Sequence, residues 1–164
     1  MPTPGELREK LWKALRSDMT LMIGVMGPKD SHKRPMAAQI RDGDDRAMWF
    51  FGDKTTALAS VLAGGPASAE ACFAARGHDL FACVHGALAI DTDRAVVDAL
   101  WNAHVAAWYP GGKEDPKLVL FRFEPVEAEI WESDTGLLAS VKALFGADPS
   151  AEHERDRHAT VTLS

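Results

Sequence analysis

No stretch of this chain keeps one hydrophobic period for long. The segment AWYPGGKEDPKLVLFRFEPVEAEIWES (Ala107–Ser133) shows the pattern. An apolar helical spacing runs into Trp108-Tyr109, stops at Pro110-Gly111-Gly112, crosses a charged turn, and restarts as a strand ending at Trp131. Short strands separated by turn residues pair with neighbours in sequence, which favours an antiparallel sheet over the long crossovers of a doubly wound one. The two tryptophans bounding the unit either close a core or frame something flat and aromatic.

The same punctuation recurs along the chain. Glu6–Ser17 carries Leu7, Leu11, Trp12 and Leu15 at helical spacing. Met19–Met26 is a wholly apolar run that suits a buried strand, closed by Gly27-Pro28. Pro35–Ile40 and Ala47–Phe51 flank a polar linker containing Asp42-Gly43, a hairpin signal. Thr56–Ala63 predicts a short helix, and alternation returns in Ala69–Ala75 and Leu80–Ile90. Gly86 inside the latter marks a bulge or a close backbone approach. Asp91–Trp108 has Val96, Val97, Leu100, Trp101, His104 and Trp108 at helical spacing, with Asp91 or Thr92 as its cap. Leu118–Phe123 and Val126–Trp131 give a last strand, with an edge or bend at Pro125, and Gly136–Phe145 a last helix. Residues 150–164 form a polar tail, in which Val161-Thr162-Leu163 can dock. About six short strands with helices at the start, middle and end point to one domain spanning residues 1–164, with its core in about 6–146 and an antiparallel barrel as its architecture.

Charge and composition narrow the function. A net charge of −6 argues against a nucleic-acid partner. No apolar run is long enough to span a bilayer, and the N-terminus lacks the order of a signal peptide, so the expected location is cytoplasmic. Cys72 and Cys83 sit in apolar surroundings and are expected to be reduced core residues. The six histidines show no HxxxH or HExxH spacing and the cysteines no zinc spacing, so no metal site is expected. There is no GxSxG elbow, no GxGxxG and no P-loop. His85, beside Gly86, is either a general acid or base, or a histidine satisfied by a backbone partner.

The richer cluster lies between Arg34 and Thr56. Arg34 offers a planar fork of donors suited to phosphate. Thr55, Thr56 and the amides opening the following helix add donors, and Trp49-Phe50-Phe51 can border a planar ring. The same residues also read as a helix cap and a piece of core.

In sequence order, RPM, WFFGDKTT, HGALAI and LWNAHVAAWYPGGKEDPKLVLFRFEPVEAEIWES resemble the general stress protein 26 group of the pyridoxamine 5′-phosphate oxidase-like, FMN-binding split-barrel family. The likeness runs from about Glu6 to Ser133 and is most specific in the WYPGGKEDP run. It implies a mainly β fold with flanking helices, a six-stranded antiparallel split β-barrel, and a homodimer with two FMN sites at the subunit interface. By that resemblance Arg34 faces the FMN phosphate, and Pro35, Met36 and Ala37 run along the isoalloxazine. Phe50 and Phe51 flank the ring, Gly52 and Thr55 contribute nearby, and Thr56 takes the place of a phosphate-binding serine. Trp131 borders the flavin from the second subunit, with Trp108 near the same interface.

Three positions depart from the family pattern. Gly52 replaces a threonine, Ala57 stands where an arginine is common, and Leu58 stands where a phosphate-binding lysine is expected. Losing one or two charge-assisted contacts, each worth roughly 1.5–3 kcal/mol, weakens binding by about tenfold to several hundredfold. FMN would then be held weakly or replaced by another flavin. The Arg-x-His of true pyridoxamine-phosphate oxidases has no counterpart beyond Arg155–His158 in the polar tail, so that activity is not expected. The leading expectation is an FMN-dependent oxidoreductase of unstated substrate. Its rivals are a non-enzymatic flavin-binding protein and a cofactor-free dimer acting through protein contacts.

Overall fold

The computed structural model describes residues 2–27, 32–43, 46–133 and 158–164. Helix α1 (Pro4–Ser17) opens on a capping box: the Thr3 side chain accepts from the Glu6 amide while the Glu6 carboxylate accepts from the Thr3 amide. Its Leu7, Leu11, Trp12 and Leu15 are buried, as their spacing predicts. Seven antiparallel strands follow: β1 (Thr20–Val25), β2 (Arg34–Ala37), β3 (Met48–Asp53), β4 (Ala67–Ala74), β5 (Leu80–Asp91), β6 (Leu118–Glu132) and β7 (His158–Thr162).

Their order is β2-β1-β4-β5-β6-β3, with β7 added beside β6. The outermost strands β2 and β3 meet at one bridge, where Gln39 and Trp49 exchange both backbone hydrogen bonds at 2.7 and 2.9 Å. The sheet thus curls until its ends touch at a single point, which is a split barrel. Residues alternating inward from β1, β4, β5, β6 and β3 fill it, among them Ile23, Ala71, Phe73, Val84, Phe121, Phe123, Ile130, Met48 and Phe50.

Three expectations change. The Asp42-Gly43 linker does join β2 to β3, but they do not form a hairpin, because β3 pairs along its whole length with Leu118–Phe123 of β6. The helix expected over Asp91–Trp108 is two, α3 (Arg94–Leu100) and α4 (Ala103–Ala106). Asp93 caps the first; Asp91 instead accepts from the Trp49 indole at 2.9 Å and from the Asp93 amide. Asn102 caps the second by accepting from the Val105 amide. The third change adds a strand: part of the tail docks as β7, with Val161 and Leu163 buried in the main core beside α1. The expected helix Gly136–Phe145 lies outside the described residues. Leu118–Phe123 and Val126–Trp131 are one continuous strand.

Gly86 is both a bulge and a close approach. The register of β5 on β6 shifts between His85, opposite Glu127, and Gly86, opposite Pro125. A Cβ on Gly86 would lie 2.2 Å from the Glu124 carbonyl oxygen. Pro125, which has no N–H to donate, sits at this break in the ladder. Gly86→Ala is therefore expected to destabilise the fold by about 1–3 kcal/mol through overpacking against backbone. Urea unfolding monitored by circular dichroism measures it, and an unchanged midpoint would contradict the packing account.

Candidate functional site

Where the barrel's two ends meet, a cleft of about 400 Å³ opens between β2, β3 and α4. Pro35, Met36, Ala37 and Gln39 form one wall, Phe51, Gly52 and Asp53 the second, and His104, Val105, Trp108 and Tyr109 the third. Its volume is in the range of small-molecule sites. The walls are mainly apolar, which suits a flat ring.

The third wall explains the punctuated segment that marks the sequence. After α4, Pro110-Gly111-Gly112 turns the chain back through a 3-10 turn, Gly112–Glu114, with Gly112 at φ 65°. Asp115 ties the turn together: its carboxylate accepts from the Gly111 amide at 2.9 Å and the Lys117 amide at 3.0 Å. Those bonds, from Lys117 first and Gly111 second, hold its carboxyl below the usual carboxylate range. Salt bridges from Lys113 to Asp98 and from Arg94 to Glu114 pin the turn onto α3. What the turn positions is Tyr109. Its hydroxyl donates to the Gly52 carbonyl at 2.9 Å, and its ring packs with Phe51 and Trp101 at 6.5 and 6.1 Å. Burial pushes the phenol up to about 12, with the Asp53 and Asp115 carboxylates adding to the shift, so it stays a donor. Trp108, one residue earlier, is left 75% exposed at the cleft mouth.

Pro35, Met36, Ala37, Phe51, Gly52 and Trp108 are thus brought together in one cleft. The other residues singled out from sequence stand apart from its lining. Phe50 points into the barrel core and is fully buried. Arg34 begins β2 one residue before the cleft wall, on the strand face it shares with Met36, and is not part of the lining. Thr55 turns its hydroxyl and amide to the Asp53 carboxylate, both at 2.7 Å. The Thr56 hydroxyl caps α2 (Ala57–Leu62), accepting from Ala59 and donating to the Asp53 carbonyl. Trp131 lies 38% exposed near the far end of β6, stacked on His158 with ring centroids 4.9 Å apart. It stands eleven positions along β6 from Leu120, the partner of Phe51, or about 36 Å of strand at ~3.3 Å per residue. Within this chain Trp131 is not part of the cleft lining. Sequence reasoning missed Gln39, His104 and Tyr109; the YPGG turn after an apolar helix was the signal for Tyr109.

The two departures at Gly52 and Leu58 acquire physical reasons. A Cβ on Gly52 would come within 2.5 Å of the Phe121 ring, so that ring occupies the space a larger side chain would need. Leu58 is 1% exposed and its side chain is part of the main core. Leu58→Lys is expected to lower stability by at least ~3 kcal/mol, through lost packing and a buried ammonium. A thermal melt tests this; an unchanged Tm with tighter FMN binding would show instead that position 58 is an open phosphate site.

The family profile for pyridoxamine 5′-phosphate oxidase-like proteins matches residues 6–148. The chain belongs to that family. A protein of Xanthomonas campestris pv. campestris assigned to the general stress family is 50% identical over 84% of this chain and 94% of its own, with a TM-score of 0.77. The general stress FMN/FAD binding protein of Xanthomonas citri is 49% identical over 81% of this chain and 93% of its own, at a TM-score of 0.76. A general stress protein 26 of Jannaschia sp. CCS1 is 30% identical, covers 98% of this chain and 99% of its own, and superposes at a TM-score of 0.81. No curated protein matches the chain. Among the described residues, no helix is long and apolar enough to cross a membrane.

Proposed function

We propose that this chain binds FMN in the β2–β3–α4 cleft and works as a flavin-dependent oxidoreductase of the general stress type, as a homodimer in the cytoplasm. The observation that carries the reading is the cleft itself: the edge of Pro35–Ala37, aromatic walls at Phe51 and Tyr109, and an exposed Trp108 at the mouth. The general stress FMN/FAD binding protein of Xanthomonas citri, nearly half identical in sequence, supports a flavin as the ligand.

The cofactor, when bound, supplies the electron transfer. The chain supplies orientation and exclusion of water. Met36 and Phe51 give apolar contact to a ring, the Gln39 side chain offers amide donors and an acceptor, and Tyr109 holds Gly52 and its strand in place. Arg34 and Lys54 each adjoin a cleft wall residue in sequence, and of the two Arg34 has the planar fork of donors that suits a phosphate. His104 is the lining's imidazole and the natural candidate to exchange a proton with a substrate. A second copy would cover Trp108 and bring its own Trp131 toward the cleft.

FMN titration followed by quenching of flavin fluorescence tests the reading. Saturable binding is expected, weakened about 10–150-fold by Arg34→Ala, the loss of one charge-assisted contact worth roughly 1.5–3 kcal/mol. Trp108→Ala should weaken it less and restore fluorescence. Absence of binding by the intact chain, or indifference to both changes, would refute it. NADH or NADPH consumption with a generic acceptor then separates enzyme from flavin carrier.

A further inference from the structure

On the outer face of the barrel, four side chains with metal-ligand chemistry stand at directly paired positions. Glu70 and Cys72 lie two residues apart on β4, Cys83 and His85 two apart on β5, and the register puts Glu70 opposite His85 and Cys72 opposite Cys83. Alternation makes all four point outward, since Ala69, Ala71, Ala82 and Val84 between and beside them face the core.

Their ligand atoms form a run of close contacts that begins on one Glu70 oxygen and ends on the other, and those of Glu70, Cys72 and Cys83 all lie within 4.8 Å of one another. Glu70 Oε2 is 3.0 Å from His85 Nε2, and His85 Nε2 is 3.6 Å from Cys83 Sγ. Cys83 Sγ is 3.9 Å from Cys72 Sγ, which is 3.8 Å from Glu70 Oε1. A zinc ion bound tetrahedrally at about 2.3 Å from sulfur and 2.0–2.1 Å from nitrogen or oxygen spaces its ligand atoms ~3.3–3.8 Å apart. These contacts fall near that spacing, with Glu70, Cys72 and Cys83 as the compact group and His85 approaching it from the Glu70 and Cys83 side.

We propose that Glu70, Cys72, Cys83 and His85 form a binding site for a thiophilic divalent cation of the zinc class. Two thiolates and a carboxylate would be balanced by the cation and by Lys33, whose ammonium already lies 2.7 Å from Glu70 Oε1. Gly24, opposite Glu70 on β1, admits that lysine: a Cβ there would come within 2.8 Å of the His32 carbonyl oxygen, so only glycine lets the 32–33 backbone cross this face. Glu127 and Glu129, opposite His85 and Cys83 on β6, add negative charge beside the quartet. The quartet lies on β4 and β5, away from the cleft walls of β2, β3 and α4.

Cobalt(II) titration of the full-length, chelator-treated and chemically reduced protein tests the site, read as a difference spectrum so that any flavin cancels. The expected result is a sulfur-to-cobalt charge-transfer band with the visible bands of tetrahedral cobalt, saturating at one ion per chain and discharged by Zn²⁺. Cys83→Ala should remove the charge-transfer band. Glu70→Gln and His85→Gln should retain native circular dichroism yet weaken cobalt binding by more than about tenfold, the least that loss of an outer-shell partner costs. A folded protein giving no sulfur band, a band unchanged in Cys83→Ala, or conversion to a Cys72–Cys83 disulfide in place of metal uptake would overturn the proposal.

Discussion

The cleft depends on one reciprocal backbone pair. Gln39 and Trp49 exchange two hydrogen bonds and thereby join the ends of a sheet whose order otherwise leaves β2 and β3 on opposite margins. Each bond contributes only about 0.5–1.5 kcal/mol net. Their effect is positional: they set Pro35–Ala37 beside Phe51–Asp53 and make a cleft from two edges. The surroundings hold the junction in place. Gln39 and Ala38 are buried, and the Trp49 indole donates to Asp91 at the start of the segment leading to α3. A second small core, with Trp49, Val96, Val97 and Leu120 at its centre and Phe51, Trp101 and Tyr109 against it, supports the cleft from below.

The fold was largely legible where the signal was local. Leu7, Leu11, Trp12 and Leu15 read as one helix face and are one, and Gly86 read as a bulge because a lone glycine inside an alternating run has few other uses. Reading failed where a distant partner decided. Asp42-Gly43 promises a hairpin, but β6 competes for all of β3 and wins with six paired residues. Asp91 is a reasonable cap until Trp49, distant in sequence, takes its carboxylate. Cys72 and Cys83 show no zinc spacing along the chain; only the β4–β5 register sets them opposite one another, half-buried on the outer face and not in the core.

The candidate flavin site divides in the same way. Pro35–Ala37, Phe51 and Gly52 of the cleft lining were readable, because Arg-Pro-Met before a turn and an aromatic pair after it are local features, although Phe50 of that pair went to the core. Its phosphate end was read as the opening of a helix, whereas α2 has six residues and its cap hydroxyl is already committed to Ala59 and Asp53. A short helix contributes little dipole. The buried Leu58 marks a helix face that serves the core, which leaves Arg34 as the residue proposed for the phosphate. Trp108 and Trp131, which frame the punctuated segment in sequence, lie too far apart in one chain to frame the same ligand.

A crystal structure of the FMN-soaked protein tests this account most directly. The account predicts the isoalloxazine lying along Pro35–Ala37 with Phe51 and Trp108 against it, and a second copy's Trp131 at its edge. A flavin bound elsewhere, or a dimer whose interface leaves Trp108 and the cleft open to solvent, would contradict it.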